Sequence, residues 1–145
     1  MNSFSSLSKT LIMKEIIDIQ PLWQMRELLK KALNKIEEEK LDELGEMGAI
    51  QAFEVSYELV WKTLQKFLGQ EGKEARSPRE TFRLAAQFGY LDNPQVWFKF
   101  GEERNLTSHT YQEEIITHIL NLLPKFISEL DQLIKNLEEK KKEIN

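Results

Sequence analysis

Apolar residues recur along this chain at steps of three and four almost from end to end. Leu22, Met25, Leu29, Ala32 and Ile36 form one stripe, and Ile50, Phe53, Tyr57, Val60, Leu64 and Phe67 form a second. That period predicts amphipathic helices. Gly69 and Gly72 are expected to end the second helix, as glycines commonly do. The acid-rich stretch from Glu37 to Glu46, closed by Gly45 and Gly48, reads as the connection between the two. Ser77-Pro78-Arg79-Glu80 has the form of a capping box and opens a short helix carrying Phe82, Ala85 and Ala86 up to Gly89. Asn93 caps the next helix, which Pro94 begins and which holds Trp97, Phe98 and Phe100. The last helix carries Ile116, Ile119, Leu123, Phe126, Leu130, Leu133 and Leu137. Pro124 lies inside it and is expected to kink it, because the bond to the Leu120 carbonyl is lost. No alternating strand pattern and no internal repeat competes. Long stripes joined by short connections predict an all-α fold, an up-and-down antiparallel bundle with a short extra helix. Trp61 broadens the second stripe, and a face that wide often serves a partner as well as the core.

Composition fits one soluble domain. The chain has 145 residues, 41% hydrophobic and 30% charged, long enough to bury a core. It contains no cysteine, which excludes disulfides, thiolate metal sites and cysteine nucleophiles; no metal or cofactor is expected. Leu11-Ile12-Met13 is the only continuous apolar run near the start, too short for a secretion signal or a membrane span. A cytoplasmic protein without a membrane partner is therefore expected. The formal net charge of −4 gives the whole molecule no attraction for nucleic acid, so any RNA contact needs a local patch. Arg76, Arg79 and Arg83, spaced three and four apart, would share one helical face. They are candidate RNA-backbone contacts or, equally, a solvated face.

The segment Arg104-Asn-Leu-Thr-Ser-His109-Thr-Tyr111 concentrates the chemistry. On an unbroken helix Arg104 and His109 would diverge by roughly 140°. However, Thr110-Tyr-Gln-Glu113 is a second capping-box pattern, so the last helix is expected to start near Thr110. His109 and Tyr111 would then sit at a helix N-terminus, whose free N–H groups suit an anion. A guanidinium that grips phosphate and an imidazole that titrates near neutrality suit phosphodiester chemistry. A polar surface joint would use the same residues. His118 has no matching partner in the pattern and reads as bland.

Three ordered motifs carry a resemblance. Phe53-Glu-Val-Ser-Tyr57-Glu-Leu-Val-Trp61-Lys, then Ser77-Pro-Arg-Glu80, then Asn105-Leu-Thr-Ser-His-Thr-Tyr-Gln-Glu113 resemble HEPN-domain proteins of the HepT type, including the nucleotidyltransferase substrate-binding proteins. The resemblance covers roughly residues 22 to 137. It implies one HEPN-like bundle over 21–140, with residues 1–20 an N-terminal extension expected to be poorly ordered and 141–145 a charged tail. It also implies a two-fold homodimer, a minimal nucleotidyltransferase (MNT-type) antitoxin as partner, and RNA such as tRNA as substrate. On the toxin reading the chain is a metal-independent endoribonuclease. Arg104 and His109 then become the catalytic pair, Asn105 the supporting polar residue, and Tyr111 the tyrosine silenced by AMP. The alternative is a non-catalytic substrate-binding subunit of a two-component nucleotidyltransferase.

Overall fold

The computed structural model describes residues 16–144, and among these described residues there are five α-helices and one 3₁₀ turn; most of the N-terminal extension, residues 1–15, lies outside them. The helices are α1 (Gln20–Glu37), α2 (Glu43–Gln70), α3 (Pro78–Gln87), α4 (Pro94–Leu106) and α5 (Glu113–Ile144), with the 3₁₀ turn at Thr107–His109. Among the described residues there is no strand. The fold is the expected all-α bundle with α3 as the short extra helix. No helix of the described residues is long and apolar enough to cross a membrane.

Local chemistry sets the ends. Asp42 caps α2 by accepting from the Gly45 amide at 2.7 Å. Ser77 Oγ accepts from the Glu80 amide at 3.2 Å, and Asn93 Oδ1 accepts from the Gln95 amide at 3.0 Å. The expected capping box is modified: the Glu80 carboxylate accepts from the Arg76 amide, one residue before the cap. Helix α3 stops in a Schellman turn, with the Tyr90 amide on the Ala85 carbonyl and Gly89 at φ 80°. Gly72, at φ 77°, ends α2 the same way.

One expectation is corrected. Gly45 and Gly48 do not close the first connection but lie inside α2. The turn after α1 is made by Glu39 at φ 57°, in the left-handed region that favours glycine. The Pro124 position is as read, inside α5.

Helix α2 is the axis of the molecule and packs against the other four helices. Its Phe53 meets Phe126 of α5 edge-on at 4.9 Å, and Trp97 and Phe100 of α4 complete a ring cluster around Phe126. Phe82 stacks on Trp97 at 5.4 Å, tying α3 to α4. All these rings are buried, and edge-to-face geometry adds to the area they remove from water. Helix α1 is latched to the far half of α5 by the Arg26–Asp131 ion pair and by Trp23 donating to Glu138 at 3.0 Å. Ahead of α1, Ile17 and Ile19 are buried, and Lys141 Nζ donates to the Ile17 carbonyl at 2.7 Å. The packed chain therefore includes residues just before Pro21. Trp61 is part-buried and donates to Glu58 at 3.0 Å.

Candidate functional site

The chemistry-bearing segment is the joint between α4 and α5. Arg104 occupies the last turn of α4, where a cation is favoured by the helix dipole. The Thr107 hydroxyl donates to the Arg104 carbonyl at 2.6 Å, and Ser108 Oγ donates to the Asn105 carbonyl at 3.2 Å. These side chains satisfy carbonyls left open at the helix end and tighten the chain into the 3₁₀ turn.

Helix α5 then starts at Glu113, three residues later than the Thr110 pattern implied. The reason is that the intervening residues form a separate turn. The Gln112 amide closes on the His109 carbonyl at 3.0 Å, and the Gln112 carbonyl receives the first amides of α5, those of Ile115 and Ile116. His109 and Tyr111 thus lie in the joint before the helix and not in its first turn.

His109 and Tyr111 are exposed and face one another, with Nδ1 3.2 Å from the phenol oxygen. Arg104 points elsewhere. Its Nε lies 3.5 Å from Glu58 and its Nη2 3.7 Å from Glu54, both on α2. The joint therefore holds the three motif residues along one short segment, but Arg104 and His109 have separate partners. Asn105 is exposed beside them.

A groove of about 520 Å³ opens along the Arg104 side, between α2, α3 and α4. Tyr57, Arg79, Phe98 and Asn105 are among the residues that line it. Gly101 lets α4 pass Tyr57 closely: a Cβ at 101 would lie 2.6 Å from the phenol oxygen. Burial pushes the Tyr57 hydroxyl up to about 12; neighbouring Glu58 adds to this and Arg104 opposes it.

The basic trio does not share a helical face. Ser77 is extended, with φ −144° and ψ 160°, so the register of α3 does not reach back to Arg76. That side chain instead pairs with Glu74 at 3.5 Å. Arg79 and Arg83 are exposed on α3, one turn apart, and the Arg79 guanidinium lies 4.2 Å over the Phe98 ring.

Sequence reasoning missed two features. Glu54 and Glu58 sit one turn apart in α2, a spacing readable once Arg104 is known to face that helix. His118, taken as bland, holds the carboxylate of Glu103 at 2.5 Å. Glu103 is buried, a setting in which an unpaired carboxylate is costly. Lys99 reaches the same carboxylate at 3.6 Å. The pair joins α4 to α5 on either side of the joint.

Comparison with known proteins follows the same outline. The family described as "Nucleotidyltransferase substrate binding protein like" matches residues 18–139. A protein of Haemophilus influenzae named "Probable ribonuclease HepT" is 31% identical over 98 residues, 64% of this chain and 67% of that one. A crystal structure from Thermus thermophilus is 33% identical, with a TM-score of 0.64, covering 75% of this chain and 98% of that chain. The structure of HI0074 from Haemophilus influenzae, described as the fold of a substrate binding domain of a nucleotidyltransferase, superposes with a TM-score of 0.77. It covers 83% of this chain and 99% of that chain at 24% identity, a likeness of fold. The chain belongs to the HepT-type nucleotidyltransferase substrate-binding family.

Proposed function

We propose that this protein is a metal-independent endoribonuclease of the HEPN type, the toxin of a two-component system whose other member is a nucleotidyltransferase. The observation that carries the reading is the joint itself. It presents an imidazole and a phenol to solvent within 3.2 Å of one another, and a guanidinium one turn away at the end of α4. RNA cleavage needs the 2′-oxygen to attack the adjacent phosphorus while the 5′-oxygen departs and takes up a proton. The products are a 2′,3′-cyclic phosphate and a free 5′-hydroxyl. His109 moves the protons, and Arg104 stabilises the charge that gathers on the phosphoryl oxygens. One histidine per joint serves one of the two proton transfers, so the mechanism calls for a homodimer that brings two joints to one cleft. Tyr111, 78% exposed, is the AMP acceptor: its oxygen attacks the α-phosphorus of ATP on the partner enzyme and pyrophosphate leaves. The added bulk and negative charge beside His109 then exclude the RNA phosphate.

One observation favours the alternative, a non-catalytic substrate-binding subunit. Arg104 already faces two carboxylates, Glu54 and Glu58, which compete with any phosphate.

The test is cleavage of total RNA by the purified chain in excess chelator, compared with His109→Ala and Arg104→Ala. Cuts ending in a cyclic phosphate, absent with both variants, support the nuclease. Cleavage that persists in His109→Ala removes the histidine from the chemistry. A wild-type chain that cuts nothing but binds its nucleotidyltransferase partner supports the alternative.

A further inference from the structure

We propose that the groove between α2, α3 and α4 is a stacking pocket for one unpaired RNA base, and that Arg79 supplies the face on which the base lies. The proposal rests on the nuclease reading for its substrate class but on separate residues for its geometry.

Arg79 is the starting point. Its guanidinium carbon sits 4.2 Å from the centroid of the Phe98 ring, and both side chains line the groove. The cation is thus drawn onto an aromatic ring, which holds it in the groove. Arg79 is otherwise exposed, which leaves it open to a second flat group. Guanidinium planes and aromatic rings are the surfaces on which proteins stack unpaired RNA bases. Phe98 is half-buried and held from behind by the packed body of α4, so the platform is built on a helix and not on a loop.

The charge in the groove separates a base from a phosphate. Arg79 and Arg104 are balanced there by Glu58 and Glu102. A groove whose charges balance offers a phosphate no net attraction, yet the carboxylate oxygens accept hydrogen bonds from the amino and imino groups on a base edge. The Tyr57 hydroxyl and the Asn105 amide add further polar groups at its wall. The volume of about 520 Å³ lies within the range of small-ligand clefts, roughly 300–1,000 Å³.

Position completes the argument. Arg104 belongs to the wall of the groove and to the joint at once. A base seated on Arg79 delivers its own backbone phosphate toward Arg104. The groove therefore sets which nucleotide of a single strand lies next to the reacting phosphate, and it asks for an unpaired base.

Fluorescence anisotropy tests this with a short single-stranded oligoribonucleotide and full-length chain carrying His109→Ala to prevent cutting. Arg79→Ala and Phe98→Ala should each weaken binding by roughly ten- to a hundredfold. Arg79→Lys is decisive because it keeps the charge and loses the plane. Binding by Arg79→Lys as weak as by Arg79→Ala supports stacking, as does quenching of a 2-aminopurine base by wild-type groove residues but not by Arg79→Ala. Arg79→Lys that binds as tightly as Arg79 identifies a phosphate contact and overturns the proposal; so does an abasic oligonucleotide bound as well as the intact one. If the chain fails to cut RNA yet binds it with this Arg79 dependence, the nuclease reading falls and the pocket stands. If it cuts RNA and the Arg79 variants bind normally, the pocket falls and the nuclease stands.

Discussion

Replacing Gly101 by alanine should destabilise the protein in the presence of Tyr57 and stabilise it in its absence. A Cβ at position 101 would lie 2.6 Å from the Tyr57 hydroxyl oxygen, well inside ordinary contact, while the next atom, Cζ, is already at 3.4 Å. Tyr57 is buried and its ring is packed against Phe82 at 5.8 Å, so the ring cannot simply swing aside. Overfilling of this kind costs about 1–3 kcal/mol. Against it stands the gain of about 0.8–1 kcal/mol for alanine over glycine in a helix interior. The net effect in the wild-type background is a loss of up to about 2 kcal/mol. Tyr57→Phe removes the clashing oxygen, and the remaining ring atoms lie at ordinary separation. In that background the helix-forming gain is left nearly whole, so the two substitutions couple by about 1–3 kcal/mol. Urea denaturation of the four proteins, followed by far-UV circular dichroism, measures the cycle. A coupling near zero, or a Gly101→Ala variant more stable than wild type, would refute the reasoning.

Two further outcomes follow from buried polar groups. Removing His118 leaves the buried Glu103 carboxylate with Lys99 alone, at 3.6 Å. His118→Ala should therefore cost about 1–3 kcal/mol, below the roughly 3–5 kcal/mol of a fully buried pair because the imidazole itself is half-exposed. In a Glu103→Gln background the same change should cost much less; equal costs in the two backgrounds would show that the contact does not matter. The Tyr57 hydroxyl is raised by burial from 10.0 to about 12. The neutral form is the one the folded state favours, so this stability is fully present below pH 10.0 and is lost as pH rises toward about 12. The stake is about 2–3 kcal/mol, and Tyr57→Phe should flatten that part of the alkaline stability profile. Profiles that fall in parallel would contradict burial as the cause.

The helices were legible because each announces itself locally. The stripes of α1, α2 and α5 follow from period alone, and Ser77 and Asn93 cap helices by contacts within three residues of themselves. The misreadings share a cause, one local pattern overridden by another. Thr110 fits a capping box, yet Thr107 and Ser108 bond back to α4 and use up the chain before α5 can start. The spacing of Arg76, Arg79 and Arg83 assumed one continuous helix, and the extended Ser77 breaks the register. The motif residues Arg104, His109 and Tyr111 could be found by spacing, but their partners could not. That Arg104 would face Glu54 and Glu58, or that Glu103 would be buried against His118, depends on how two distant helices dock.

On the proposed nuclease reading, the docking of Arg104 on α2 bears on how an RNA substrate would be held. Its two carboxylate partners lie at 3.5 and 3.7 Å, at the outer limit of hydrogen bonding, and the guanidinium is about one-third exposed. Such partly solvated pairs are worth at most about 1 kcal/mol each. They are strong enough to aim the side chain and too weak to lock it away from a phosphate. The same carboxylates repel an incoming anion, so Arg104 on its own is a poor source of affinity for RNA. A molecule with a net charge of −4 offers little general attraction to compensate. Affinity must then come from contacts that do not depend on charge. In the proposed pocket, the Arg79–Phe98 pair, in the groove whose wall Arg104 forms, would supply such a contact. On this view the acidic neighbours make the site selective: a free phosphate gains too little from Arg104 to stay, whereas a strand anchored by a stacked base presents its phosphate to a guanidinium already in position.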